Sequence, residues 1–222
     1  MKLKIKETAG LLYKDMIQLS GSWMIFLIIL VIGFIGLSLA NVEGALICFL
    51  CANLAIQAVM TILPDRTSGW YGYSTTLPIS RKDIAASKYL LGLLASLVGI
   101  LAGFLLYWLS ASFKGAGMDQ EQLKIQLLIS PLIVFSSMAF MIPLNYTLPK
   151  DRTFIGVIFS FLPAAGLIYL WAREITTEIT PGGLQMDMRL DLLAWLAGIS
   201  LVLFVLSWMI APCILARMDQ KQ

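Results

Sequence analysis

Few residues in this chain are of a kind that does chemistry, and their spacing excludes most of what they could do. Its 222 residues include no histidine, which removes imidazole acid–base catalysis, the HExxH zinc centre and the usual soft-metal ligand sets. Cys48 and Cys51 have the C-x-x-C spacing of a redox pair. Both lie in an apolar run with no flanking charge to lower a thiol pKa, so with Cys213 they read as small buried hydrophobes. No Gly-Lys pair occurs, so no phosphate-cradling loop is encoded. Paired acidic motifs, Ser/His arrangements and clustered aspartates are missing too, and the chain is expected not to be an enzyme. One polar stripe remains: Asn53, Gln57 and Thr61 fall four apart within an apolar run. An amide facing lipid is costly, so the stripe is expected to face other helices or a wet translocation path. The centres of the apolar runs carry no Asp, Glu, Lys or Arg, which argues against proton- or sodium-coupled transport and against a charged ion filter.

The densest mixture of charge and aromatic rings is the polar interval 64–90, where Trp70, Tyr71, Tyr73, Leu77 and Ile79 sit among Asp65, Arg66, Arg81, Lys82 and Lys88. Pro64 is expected to stop the preceding helix, because it lacks a backbone donor. Leu77 is biased to extended backbone by Pro78. Ser80 followed three residues later by Asp83 predicts a capped helix start. One short helix fits between them, over residues 67–74. Two readings are open at this level: an interfacial turn packing on its own bundle, or a docking element for a soluble partner.

These residues must be positioned by a membrane-embedded scaffold. The chain is 59% hydrophobic and 13% charged, with mean hydropathy +0.85, far from the soluble average of about a quarter charged. Six runs approach the roughly 20 apolar residues that cross a bilayer: 22–40, 44–63, 89–110, 127–148, 154–171 and 192–213. The first holds about a dozen Ile, Leu, Val and Phe residues, which favour insertion by roughly 4–7 kcal/mol. Pro131 and Pro143 interrupt the fourth run and Pro163 predicts a kink in the fifth. In the third, Gly92, Ser96, Gly99 and Gly103 make one face smooth enough for close helix approach, within the bundle or at a subunit seam. Residues 1–20 read as a basic amphipathic helix in the headgroup region, with Leu12, Met16 and Leu19 on one face, and not as a cleaved signal peptide. Six spans put Lys2, Lys4, Lys6, Lys14, Arg66, Arg81, Lys82, Lys88, Lys150, Arg152, Arg217 and Lys221 on one side. Only Lys114, Lys124, Arg173 and Arg189 are left for the other, so both termini are expected in the cytoplasm. The expected fold is all-α: one polytopic domain over 1–222, with an interfacial helix (1–20), spans 1 and 2 (22–63), a cytoplasmic loop (64–88), spans 3–6 (89–213) and a tail (214–222).

Leu77-Pro78-Ile79-Ser80-Arg81-Lys82-Asp83-Ile84, followed by Ser87-Lys88-Tyr89-Leu90, resembles the signature of the type-2 ABC export permeases. It is most similar to the small six-span branch that includes exporters of phenol-soluble modulins and other amphipathic peptides. Asp65 and Trp70-x-x-Tyr73 occupy positions where that branch has comparable residues, whereas Gly69 and Gly72 depart from it. The resemblance implies a permease in a bacterial cytoplasmic membrane, paired with a second copy or a paralogue. Two cytoplasmic ATPase subunits would bind ATP and Mg, this chain binding no cofactor. It also implies that the loop is the coupling element, with Asp65, Trp70, Tyr71, Tyr73, Leu77, Pro78, Arg81 and Lys82 meeting the ATPase. An uncharged cavity would suit amphipathic peptides; drug, bacteriocin-immunity or lipid export are close variants, and no nucleic acid partner is implied. The competing class is the substrate-capture subunit of a vitamin importer, also about six spans without its own ATPase.

Overall fold

A computed structural model describes residues 5–115, 117–174, 176–180, 183–187 and 189–219. Backbone polar groups have no water to bond in a bilayer, so long apolar runs satisfy them internally as helices. Ten α-helices result among the described residues: α1 (Ile5–Ser20), α2 (Trp23–Leu39), α3 (Leu46–Met60), α4 (Ile62–Thr67), α5 (Trp70–Ser74), α6 (Arg81–Phe113), α7 (Gln120–Thr147), α8 (Thr153–Ser160), α9 (Leu162–Arg173) and α10 (Leu190–Asp219). Five helical stretches are long and apolar enough to cross a membrane: Glu43–Thr67, Arg81–Phe113, Gln120–Thr147, Thr153–Arg173 and Leu190–Arg217. Helices α1 and α2 form a further pair, bent by 64°. The 17 residues of α2 rise about 26 Å, close to the hydrocarbon thickness.

The expected kink in the fifth run is a break at Phe161, with Pro163 in the first turn of α9. Pro131 and Pro143 stay inside a continuous α7. Pro143 cannot donate to the carbonyl of Ala139, and Ser207 of α10 supplies the missing donor at 2.6 Å. Tyr89 of α6 joins the same chain, its hydroxyl 2.6 Å from Ser207 Oγ. Three spans are thereby tied at the site of one proline.

Helices α3 and α6 pack most closely. A Cβ on Gly99 would fall 2.6 Å from Cys51 Cα, and one on Gly103 would fall 2.5 Å from Ile47 Cα. Gly92 faces Met138 of α7, and Ser96 is buried. Helix α2 is the opposite case and buries none of its residues. Between α9 and α10, Thr176–Thr180 (β1) and Gly183–Asp187 (β2) pair antiparallel. Thr176–Thr180 and Gly183–Asp187 therefore add a short strand pair to the all-helical fold expected.

The polar loop is shorter than the sequence suggests. The third span begins at Arg81, so Lys88 lies seven residues inside a helix and not in a loop. The larger apolar cluster gathers at this end, joining Leu11 of α1, Ile62 of α4, Tyr71 of α5, Ile84 of α6, Tyr146 of α7 and Leu215 of α10. Nearly every element thus meets where the loop is anchored.

Candidate functional site at the loop between the second and third spans

Pro64 does not end the preceding helix; it sits in the first turn of α4, directly after the Thr61 link from α3. That turn aims two adjacent, opposite charges in different directions. Arg66 is buried and donates through Nη1 to the carbonyls of Asn145 (2.6 Å) and Leu148 (2.8 Å). It therefore closes the C-terminal end of α7, where a cation also suits the helix dipole. Asp65 turns the other way and accepts from Lys14 Nζ at 2.5 Å and Lys88 Nζ at 2.6 Å.

Lys88 is only 1% exposed. An ammonium has three donors, and all three are used: on Asp65 Oδ2, on Asp15 Oδ1 at 2.8 Å and on Thr61 Oγ1 at 3.0 Å. Lys14 adds a second ammonium, 3.0 Å from Asp15 Oδ1 and 4.5 Å from the centre of the Trp70 ring. Lys14 and Lys88 against Asp15 and Asp65 make a neutral quartet. It fastens α1, the end of the second span, the start of the third and the first ring of α5 to one point.

Beyond α4, Gly69 turns the chain through a left-handed conformation (φ 72°), which glycine adopts without a Cβ clash. The helix expected over residues 67–74 is accordingly split, and only Trp70–Ser74 remains beyond the turn. Its faces differ. Tyr71 is 2% exposed and meets Tyr146 edge-on, ring centres 6.2 Å apart. Burial pushes its phenol well above the usual range, with Tyr146, Asp65 and Asp15 adding to the effect. Tyr73, stacked at a tilt 5.7 Å from Trp70, is 58% exposed. The chain then turns through residues 75–78, with Leu77 N donating to the carbonyl of Ser74 at 3.3 Å, so a turn replaces the extended backbone expected at Leu77; Leu77 is half-buried and Pro78 exposed. Ser80 and Asp83 close the expected capping box, each side chain bonded to the other's backbone amide at 3.2 Å. Arg81 donates to the carbonyl of Ala216 in α10 at 3.3 Å, and Lys82 is exposed.

The sequence-predicted residues thus separate into a fastened set (Asp65, Tyr71, Arg81) and a presented set (Tyr73, Pro78, Lys82), with Trp70 and Leu77 between. Asp15 and the inward turn of Lys88 were missed. The face of α1 turned to the bundle carries Thr8, Leu11 and Asp15, while Met16 of the expected apolar stripe is exposed. The signal available was Lys88 itself, a lone charge amid Ala85, Ala86 and Tyr89, which an apolar setting obliges to find a counter-ion. Asn53 and Gln57 are half-buried and bonded to each other at 3.3 Å, whereas Thr61 belongs to the Lys88 site.

A family model described as ABC-2 family transporter protein matches residues 10–215. No curated protein and no solved structure matches the chain significantly. The matched stretch runs from α1 to the last turns of α10 and so takes in every element described around the loop. This chain, a multi-pass membrane protein, belongs to the ABC-2 family of transporter proteins.

Proposed function

We propose that this chain is the permease subunit of an ATP-driven exporter, with a separate ATPase docking on the loop of residues 68–80. Membership of the ABC-2 family supports a permease, in general the non-catalytic membrane component, and with it an ABC ATPase partner. The observation that carries the docking assignment is the two-sided build of α5. Tyr71 is locked against Tyr146 while Tyr73 projects outward, so force applied to the outer ring passes into α7 and the second span. In this reading ATP and Mg are bound by the partner alone. The bent α1–α2 pair completes six spans, and the excess of Lys and Arg keeps the loop and both termini in the cytoplasm of a bacterial cell.

A second copy or a paralogue completes the path. The Asn53–Gln57 pair, half-buried in one chain, supports this, because an amide pair facing lipid is costly. Amphipathic cargo is the substrate class we favour, with cationic lytic peptides foremost. An apolar groove of about 360 Å³, lined by Tyr89, Leu93, Phe135, Phe204 and Trp208 among others, is consistent with apolar or amphipathic molecules near the chain.

Tyr73→Ala tests the docking assignment, since it removes an exposed ring without disturbing the buried one. The variant is expected to insert and melt like the parent but to lose the ATPase on affinity purification, or to hydrolyse ATP without export. A variant that retains the ATPase and exports at the parental rate removes this role from the loop. A purified assembly with one permease copy and a scaffold subunit would instead identify a substrate-capture protein.

A further inference from the structure

The quartet of Lys14, Asp15, Asp65 and Lys88 is more than a loop anchor, because half of it lies on α1. Among the described residues of α1, Leu11 and Thr8 are buried as well, and the helix packs chiefly on α6. Stability alone does not call for four charges here. Buried ion pairs often stabilise no better than apolar residues of the same volume, and in this protein we read the quartet as fixing one arrangement of the helices it joins. The restriction is severe in this case. Lys88 has no donor left over, so α1 cannot slide along α6 by one turn, about 5.4 Å, without parting Asp15 from Lys88 and leaving it Lys14 alone as counter-ion. The shortfall lies on the acid side, where Asp15 Oδ2 is buried without a hydrogen-bond partner.

We infer that Lys88 is a positioning residue of the force path: by holding Asp15 and Asp65 on one ammonium, it makes α1, the end of the second span and the start of α6 a single rigid lever. Docking-loop motion then moves α1 as well as the two spans beside the loop. Through the 64° bend the lever ends in α2, the helix that buries no residue and is least restrained. This inference rests on the reading of residues 68–80 as the motor-docking loop, and it adds α1 and α2 to what the motor moves.

Two arms test it. In the first, spin labels replace Tyr13 and Thr76, both exposed, in the permease alone with Cys48, Cys51 and Cys213 changed to Ala. The parent should give one narrow distance distribution. Lys88→Met and Asp15→Asn should each broaden it, and the reversed pair Asp15→Lys with Lys88→Asp, which keeps opposite charges between α1 and α6 and leaves Lys14 facing Asp65, should narrow it again. In the second arm the intact complex, reconstituted with its ATPase, exports a fluorescein-labelled cationic amphipathic helical peptide. Lys88→Met should retain the ATPase yet move about fivefold less peptide per ATP, a loss in the range of couplings between distant sites. Unchanged distances in Lys88→Met, or an unchanged peptide-to-ATP ratio, overturns the lever. If Lys88→Met does not fold, Asp15→Asn and the reversed pair decide by the same readouts. Failure of the parent chain to bind any ATPase rejects the docking reading and leaves the distance arm interpretable by itself.

Discussion

Asp65 and Arg66 are neighbours in sequence with opposite charges and opposite loyalties, and between them they decide where the loop sits. Arg66 serves two backbone carbonyls at the end of α7 from one nitrogen. Arg66→Met keeps the aliphatic stem and strands both acceptors. Hydrogen bonds to charged donors contribute about 1.5–3 kcal/mol, so the apparent melting temperature in detergent should fall by about 5 °C or more. A fall no larger than that of a surface control such as Lys82→Met would show that the carbonyls find other donors. At this scale the sequence was only partly legible. The Ser80–Asp83 cap could be read because its partners are three residues apart and local geometry suffices. The pairs Lys14–Asp65 and Lys88–Asp15 lie 51 and 73 residues apart. No local pattern marks such pairs; only the cost of burying Lys88 pointed to a partner, without naming it.

Hydropathy located the spans closely, because a bilayer imposes length and helicity together. Their ends were harder to read. The third span starts at Arg81 because its first turns, though polar, are capped by Ser80 and covered by α1; composition alone placed the boundary at residue 89. The strand pair Thr176–Thr180 and Gly183–Asp187 was likewise beyond an apolar-run argument, since it lies outside the spans. Prolines were legible as interruptions but not by what compensates them. Ser207 fills the donor site that Pro143 vacates on Ala139. Ser207→Ala should therefore cost about 1–2 kcal/mol, and in a Pro143→Ala background, where α7 regains its own donor, clearly less. Equal costs in both backgrounds, measured by unfolding in mixed micelles, would separate the serine from the proline.

For the whole molecule, the chain is, on the function proposed above, a transmission driven by a separate motor. An apolar cluster gathers most elements around one loop, and one ring of that loop is locked while another is presented. Asn53 and Gln57 on α3 are bonded to each other and only half-buried within a single copy. A purified assembly should accordingly hold two permease chains and two ATPase subunits, as native mass spectrometry would register; a stable lone monomer competent for transport contradicts that stoichiometry. The most direct measurement is uptake of a labelled cationic amphipathic peptide into inverted proteoliposomes, made with this chain and the ATPase that copurifies with it. The account predicts accumulation that needs both proteins and hydrolysable ATP, and that Tyr73→Ala abolishes. Accumulation by this chain alone, without ATP, would contradict it.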